Sequence, residues 1–223
     1  MHKHFLRAGP LVAAAALGGT PALAQEISAN VALTSDYVFR GFSQTDEEPA
    51  IQGGFDYEHA SGFSAGAWAS NVDFDDGDEA HIEIDVYAGY AGSLTPDLGW
   101  NGGLIYYAYP GADDDLDYDY WEAYAGLSYS IASLTYYYSP DFFGSTGDGH
   151  YIDLGADVTL PYEIGLNLHV GYQEIDDLDS YVDWKVGLAR ELYGVSFDVS
   201  YHDTDENSDL ADERVVFTLS KDF

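Results

Sequence analysis

The chain has 223 residues, with 7 Lys and Arg against 40 Asp and Glu, a formal net charge of −33, and no cysteine. That charge excludes nucleic acid as a partner, since phosphates are repelled, and the missing cysteines exclude a disulfide framework and thiolate chemistry. Beyond residue 24 nothing approaches the ~20 consecutive apolar residues of a membrane helix, so a membrane-spanning form has to be a closed β-barrel.

Residues 1–24 come first, as a basic start (MHKHFLR), an apolar stretch (AGPLVAAAALGG) and a small-x-small ending, Ala22-Leu23-Ala24. That order predicts a secretory signal peptide cleaved before Gln25, with residues 25–223 forming one domain. The remainder keeps only five basic side chains, Arg40, Lys185, Arg190, Arg214 and Lys221, against all forty acids.

From residue 27 onward apolar and polar residues alternate, and Tyr, Val, Phe and Ile are frequent, which favours strands. Twelve strands are predicted. The first runs from about 27 to 39, with Ile27, Val31, Leu33, Tyr37 and Phe39 on one face and Ser28, Asn30, Thr34 and Asp36 on the other. The second sets Ile51, Phe55 and Tyr57 against Gln52, Asp56 and Glu58; the third, Phe63, Ala65 and Ala67 against Ser64, Trp68 and Ser70. The fourth sets Ile82, Val86 and Tyr90 against His81, Glu83, Asp85 and Tyr87. The fifth and sixth carry Trp100, Leu104 and Tyr106, then Trp121, Leu127 and Tyr129, against Tyr107, then Glu122 and Tyr124. The seventh, eighth and ninth carry Leu134 and Tyr136, Ile152 and Leu154, and Leu168 and Val170, against Tyr137, Asp153 with Asp157, and His169. The last three carry Trp184, Phe197 with Val199, and Phe217 with Phe223, against Asp183 with Lys185, Asp198, and Arg214.

A soluble β-sandwich shows the same alternation. Four features favour a barrel. Connections alternate between short ones (ASG, PYE, LYG) and long acidic ones such as GFSQTDEEP and SPDFFGSTGDG, as in outer-membrane barrels. The strand number is even, which puts both termini at the short-turn end. Outward aromatics gather near the strand ends, where membrane interfaces hold them: Tyr37, Phe39, Tyr106, Trp121, Tyr136, Tyr138, Tyr172 and Tyr201 at the long-loop end, and Tyr57, Phe63, Tyr90, Trp100, Tyr129 and Phe223 at the other. The chain ends VVFTLSKDF, an alternating strand closed by Phe223, which resembles the signal read by barrel-assembly machinery. The expected fold is all-β, a 12-stranded antiparallel up-and-down transmembrane barrel in the bacterial outer membrane, with membrane lipids and the assembly machinery as partners.

The stretch SANVALTSDYVFRGFSQT, followed by PAIQGGFDYEHASGFSAGAWASNVDF, resembles the TorF family of porin-like proteins from proteobacteria. The likeness spans essentially all of residues 25–223 and is densest at Ser35, Asp36, Tyr37, Arg40, Gly41, Gln44, Gly53, Tyr57, Gly62 and Trp68. It implies a small outer-membrane barrel and a channel; it implies nothing about the solute.

On this reading Arg40 and Asp36 lie on the inner face at the extracellular mouth. Two roles fit Arg40: a residue that meets solute or sets a constriction, or a structural ion pair holding loop acids such as Asp46, Glu47 or Glu48. The inner wall is acidic, with Asp56, Glu58, Glu83, Asp85, Glu122, Asp153, Asp157, Asp183 and Asp198 against Lys185 and Arg214. Such carboxylates favour cations, and twelve strands lie between side-chain-filled eight-stranded barrels and wide sixteen-stranded pores. Inward tyrosines (Tyr87, Tyr107, Tyr109, Tyr120, Tyr124, Tyr137, Tyr151, Tyr181) serve either as filler or as a stacking track for solute. The loop acids Asp73, Asp75, Asp76 and Asp78 suit weak divalent binding but lack the spacing of an EF-hand. No metal centre, no cofactor and no catalysis is expected. His81, His150, His169 and His202 are read as inward, and no serine is paired with a histidine on the outer surface. The expected function is passive diffusion of small hydrophilic solutes, with cations favoured. The alternative is a closed barrel whose acidic loops serve structure, adhesion or divalent-cation capture.

Overall fold

The structure, a computed structural model, describes residues 25–74, 80–113, 116–176 and 178–223. The predicted signal peptide lies outside them. The strands are β1 (Glu26–Thr34), β2 (Val38–Phe39), β3 (Phe42–Ser43), β4 (Ala50–Glu58), β5 (Phe63–Asn71), β6 (Ile82–Thr95) and β7 (Leu98–Ala108). They continue as β8 (Tyr120–Tyr129), β9 (Ala132–Ser139), β10 (Gly149–Leu160), β11 (Ile164–Ile175), β12 (Tyr181–Leu192), β13 (Val195–Thr204) and β14 (Arg214–Asp222).

Twelve of these close one antiparallel barrel in which each strand pairs with its neighbours in sequence. The seam joins β1 to β14, from Asn30 opposite Asp222 to Thr34 opposite Thr218. Phe223 extends it by exchanging backbone hydrogen bonds with Ala29. No barrel strand is left with an open edge, which is the condition for placing a sheet in hydrocarbon.

Alternation sets the two faces. Ile27, Leu33, Ile51, Phe55, Val86, Leu104, Leu154 and Phe217 all stand exposed on the outside, Leu154 at 53% and Phe217 at 61%. An apolar surface this continuous is far larger than soluble proteins expose, and it forms a band around the barrel. Trp100, Tyr90, Tyr129 and Phe223 rim the band at the short-turn end, and Trp121, Tyr136 and Tyr172 at the other. Turns at 96–97, 130–131 and 193–194 lie at the first end; longer connections, including 35–49 and 205–213, lie at the second.

The first predicted strand departs from this plan. It leaves the wall after Thr34 instead of running to 39. Polar side chains turn it. Thr34 Oγ1 donates to the carbonyl of Asp36 at 2.8 Å, and the Asp36 carboxylate accepts from Ser43 at 2.7 Å and Thr45 at 3.1 Å. These local bonds compete with the ladder and win. The chain folds into the lumen as a small hairpin, with Val38 opposite Ser43 and Phe39 opposite Phe42. Arg40 and Gly41 form its two-residue tip with φ of +47° and +88°, the conformation that two-residue hairpin turns require. Tyr37 and Phe39 therefore face the interior and do not belong to the aromatic rim.

If the outer face contacts hydrocarbon, a charge at its midline is costly. Leu154→Arg is expected to destabilise the barrel by about 2–4 kcal/mol, read from denaturant unfolding of the protein folded into phosphatidylcholine vesicles. The same change at a lumen position, Thr135→Arg, is expected to cost far less.

Candidate functional site

The inner wall divides into two zones along the barrel axis. Toward the short turns it is small and polar. Ser28, Asn30, Asp56, Asn101, Ser128, Thr135 and Asn167 remain partly accessible from within. Asp56 accepts the Tyr87 hydroxyl at 2.6 Å, and Asp157 accepts from Asn167 at 2.6 Å. Glu58 stands exposed at the end of β4. Toward the long loops the same wall is buried, because the β2–β3 hairpin fills the space in front of it.

The hairpin crosses the lumen and is held on its far side by Arg40. One guanidinium nitrogen meets Glu122 Oε2 on β8 at 2.7 Å; another donates to Gln173 Oε1 on β11 at 3.0 Å. Between those strands the guanidinium lies over Tyr151 (4.2 Å) and Tyr137 (5.2 Å), with Phe39 at 4.8 Å on its own hairpin. Glu122 also accepts the Tyr107 hydroxyl at 3.0 Å. A charge-assisted pair beside aromatic ring faces is the strong form of an arginine contact. Gly41, beside it, sits where an added Cβ would meet Thr204 and Asp183 on β13 and β12. Phe42 packs edge-on to Tyr181 at 5.2 Å, and Tyr37 edge-on to Trp68 at 5.4 Å.

Asp36 and Arg40, expected as neighbours on one strand face, serve different anchors. Asp36 takes Arg214 at 3.0 Å and so ties the root of the hairpin to β14. Arg214 also reaches Glu47 at 3.6 Å. The loop acids Asp46, Glu47 and Glu48 are thus not the partners of Arg40; a wall carboxylate is. The reason is the inward turn after Thr34, which carries Arg40 past its own loop to the opposite wall.

The remaining predicted lumen acids fall into separate groups. Asp183 bonds His169 at 2.7 Å and accepts the Tyr151 hydroxyl at 2.9 Å, while Asp153 lies 3.4 Å from the other imidazole nitrogen. Glu83 and Asp85 are buried on β6 at 2% and 0% exposure. Tyr37 donates to Glu83 at 3.3 Å, whereas Glu83 Oε2 and both Asp85 oxygens meet no hydrogen-bond donor among the described residues. Asp198 Oδ1 likewise meets no donor among the described residues. Lys185 on β12 is set in register between His169 and His202. Asp73 bridges to Thr45; Asp75, Asp76 and Asp78 lie outside the described residues. Among the described residues no three His, Cys, Asp or Glu side chains gather as metal ligands.

One expectation about histidine needs correction. His150 faces outward: β10 places it in register with Tyr138, and its ring bonds the Tyr136 hydroxyl at 2.7 Å. It begins β10 and shares the outward face of Ile152, two residues on, instead of belonging to the loop. Two serine–histidine contacts also exist, Ser61 with His59 at 2.8 Å in a short turn and Ser200 with His202 at 3.0 Å in the lumen. Neither histidine shows a carboxylate bond among the described residues.

Above the hairpin the loops form a cup of about 580 Å³. Its floor is Phe39, Arg40 and Phe42; its walls include Phe74, Tyr109, Tyr120, Phe142 and Phe143. Phe143 stacks on Tyr118 at 4.2 Å and meets Phe74 at 5.5 Å, so three different loops converge there. The sequence carried a signal for this: two adjacent phenylalanines inside an otherwise acidic, glycine-rich loop.

A closed twelve-stranded barrel with an apolar exterior, a polar lumen and an inward-folded loop defines the class as that of outer-membrane, porin-type barrels. Within it, the chain belongs to the family described as bacterial protein of unknown function (Gcw_chp), whose profile matches residues 18–223. No curated protein matches the chain. Among solved structures it is similar to a KdgM porin, with a TM-score of 0.60 and 10% identity, over 88% of this chain and 98% of that one. It is also similar to a KdgM porin in complex with disordered oligogalacturonate, with a TM-score of 0.59 and 10% identity, over 88% and 97% of the two chains. At that identity the likeness is one of fold.

The seating of the hairpin depends on Gly41. Gly41→Ala places a side chain at positive φ and against Thr204, so the hairpin is expected to lose about 1 kcal/mol or more of local stability. Amide hydrogen exchange over 38–43 should rise several-fold while the barrel strands keep their protection.

Proposed function

We propose that the protein is an outer-membrane channel for passive diffusion of small hydrophilic solutes, with a preference for cations. The observation that carries this reading is the pairing of a partly accessible polar lumen with a hairpin latched across it by Arg40 and Glu122. A barrel kept only as a surface anchor needs no such partition. The TorF resemblance agrees with a channel. Asp56, Glu58 and Asp157 lie toward the short turns, and Asp153, Asp198 and Lys185 below the hairpin, so a solute that passes the hairpin meets mainly carboxylates, which favour cations. Asp36, Glu122 and Asp183 act instead through the contacts that seat the loop, together with Arg214. Glu83 and Asp85 are buried behind it, out of reach of solute.

KdgM porin has been seen with oligogalacturonate, an acidic saccharide. With 10% identity and a lumen dominated by carboxylates, this chain is better suited to the opposite charge. The same fold and the apolar band support a site in the outer membrane.

The closed-barrel reading also has an observation behind it: the hairpin and its aromatic neighbours bury the wall on the extracellular side. Planar-bilayer recording separates the two. The channel reading expects stepwise conductance and, under a KCl gradient, a reversal potential favouring cations. Conductance absent at every voltage supports the closed barrel. Arg40→Ala is expected to raise single-channel conductance or alter voltage gating with little change in unfolding midpoint. Unchanged conductance and gating in that variant would remove the hairpin from the conduction path.

A further inference from the structure

The cup above the hairpin has a chemistry distinct from the lumen below it. Phe39, Phe42, Phe74, Tyr120, Phe142 and Phe143 turn rings toward a space of about 580 Å³. That volume suits one small organic molecule, and mostly apolar walls with a few placed polar groups are the usual make-up of a ligand site. Hydrophilic solutes gain little from such walls.

The charge around the cup is one-sided. Asp179 and Glu206 are among its lining residues, and among the described ones Arg40 is the single base. The Arg40 guanidinium is already paired with Glu122 at 2.7 Å and bonded to Gln173 at 3.0 Å, so its charge is largely neutralised before an anion arrives. A cation entering the cup meets two carboxylates and the negative faces of several rings, an arrangement that attracts it twice over. An anion meets the repulsion of both carboxylates and of the ring faces, with only neutral hydroxyl and amide donors such as Ser43, Gln44 and Ser208 to set against it.

We propose that this cup is a binding site for an organic monocation with an aromatic or bulky apolar body, held by its ring-lined walls with the charge directed to Asp179 and Glu206. The site lies outside the latch, so a bound molecule would cap the entrance. The inference goes beyond diffusion of small hydrophilic solutes and does not require conduction.

The test uses the full barrel in lipid nanodiscs, which avoids detergent tails in the cup. The probe is 1-naphthylmethylammonium, with 1-naphthylmethanol and 1-naphthalenesulfonate as neutral and anionic controls, measured by equilibrium dialysis against empty discs. Saturable binding is expected for the ammonium, weaker binding for the alcohol and none for the sulfonate. Asp179→Asn combined with Glu206→Gln should weaken the ammonium about fivefold or more and leave the alcohol unchanged. Both positions lie in loops outside the barrel ladder, so the fold should persist; heat-modified migration on gels checks it. Phe143→Leu keeps bulk but removes a ring face, and should lower ammonium affinity more than alcohol affinity. Equal binding of all three probes, or none above empty discs, overturns the proposal. A barrel silent in bilayers that still binds the ammonium refutes conduction and leaves this site standing; a conducting barrel without saturable binding does the reverse.

Discussion

Ladder closure is the constraint on which the rest of the structure depends. Every backbone donor and acceptor in a sheet surrounded by hydrocarbon must be satisfied within that sheet. Here twelve strands achieve this only when β1 meets β14. Closure fixes an inside and an outside, and alternation then sends every second side chain to each. Acids that would be intolerable on the outer face become usable on the inner one, where water, hydroxyls and a few cations meet them.

Closure also leaves a lumen to be filled or kept wet. The protein does both, in sequence along the axis. On the short-turn side small residues leave room, and on the loop side the β2–β3 hairpin occupies it. The hairpin's cost lies in its tip, where Arg40 adopts positive φ, a conformation that costs a non-glycine residue about 1–3 kcal/mol. The pair with Glu122, the contact with Gln173 and the tyrosine faces offset that cost. Asp36, bound to Arg214, Ser43 and Thr45, fixes the other end. Two of the five cations of residues 25–223 thus hold one loop at its root and its tip, in a chain where cations are scarce.

Much of this was legible in the sequence. The outward set was readable residue by residue because period-two alternation in Leu134, Ile152, Leu168 and Phe217 has no competing explanation once the loops alternate in length. The inward set, including Glu122 and Asp183, followed from the same count. The hairpin was not read, because Tyr37 and Phe39 continue the alternation of β1 so smoothly. What ends that strand is a set of side-chain bonds from Thr34, Ser43 and Thr45 around Asp36, and alternation carries no trace of them. The local cue was Arg40-Gly41 between Phe39 and Phe42, a two-residue turn pattern. The partner of Arg40 could not be read at all: Glu122 lies 82 positions away and is brought near only by the barrel. His150 was misplaced for a simpler reason: β10 starts at Gly149, so the residue belongs to the strand and shares the face of Ile152.

The central claim is that the hairpin stands in the conduction path and is seated on the far wall. The chain has no cysteine, so cysteines placed at Phe42 and Tyr181, whose rings lie 5.2 Å apart, can be bridged by a short bifunctional thiol reagent without competition. The most direct measurement is conductance of that bridged barrel beside one lacking residues 37–44. The account predicts ready bridging and a bridged conductance no greater than the parent's, well below that of the deletion. Failure to bridge, or equal conductance in the bridged and deleted barrels, would contradict it.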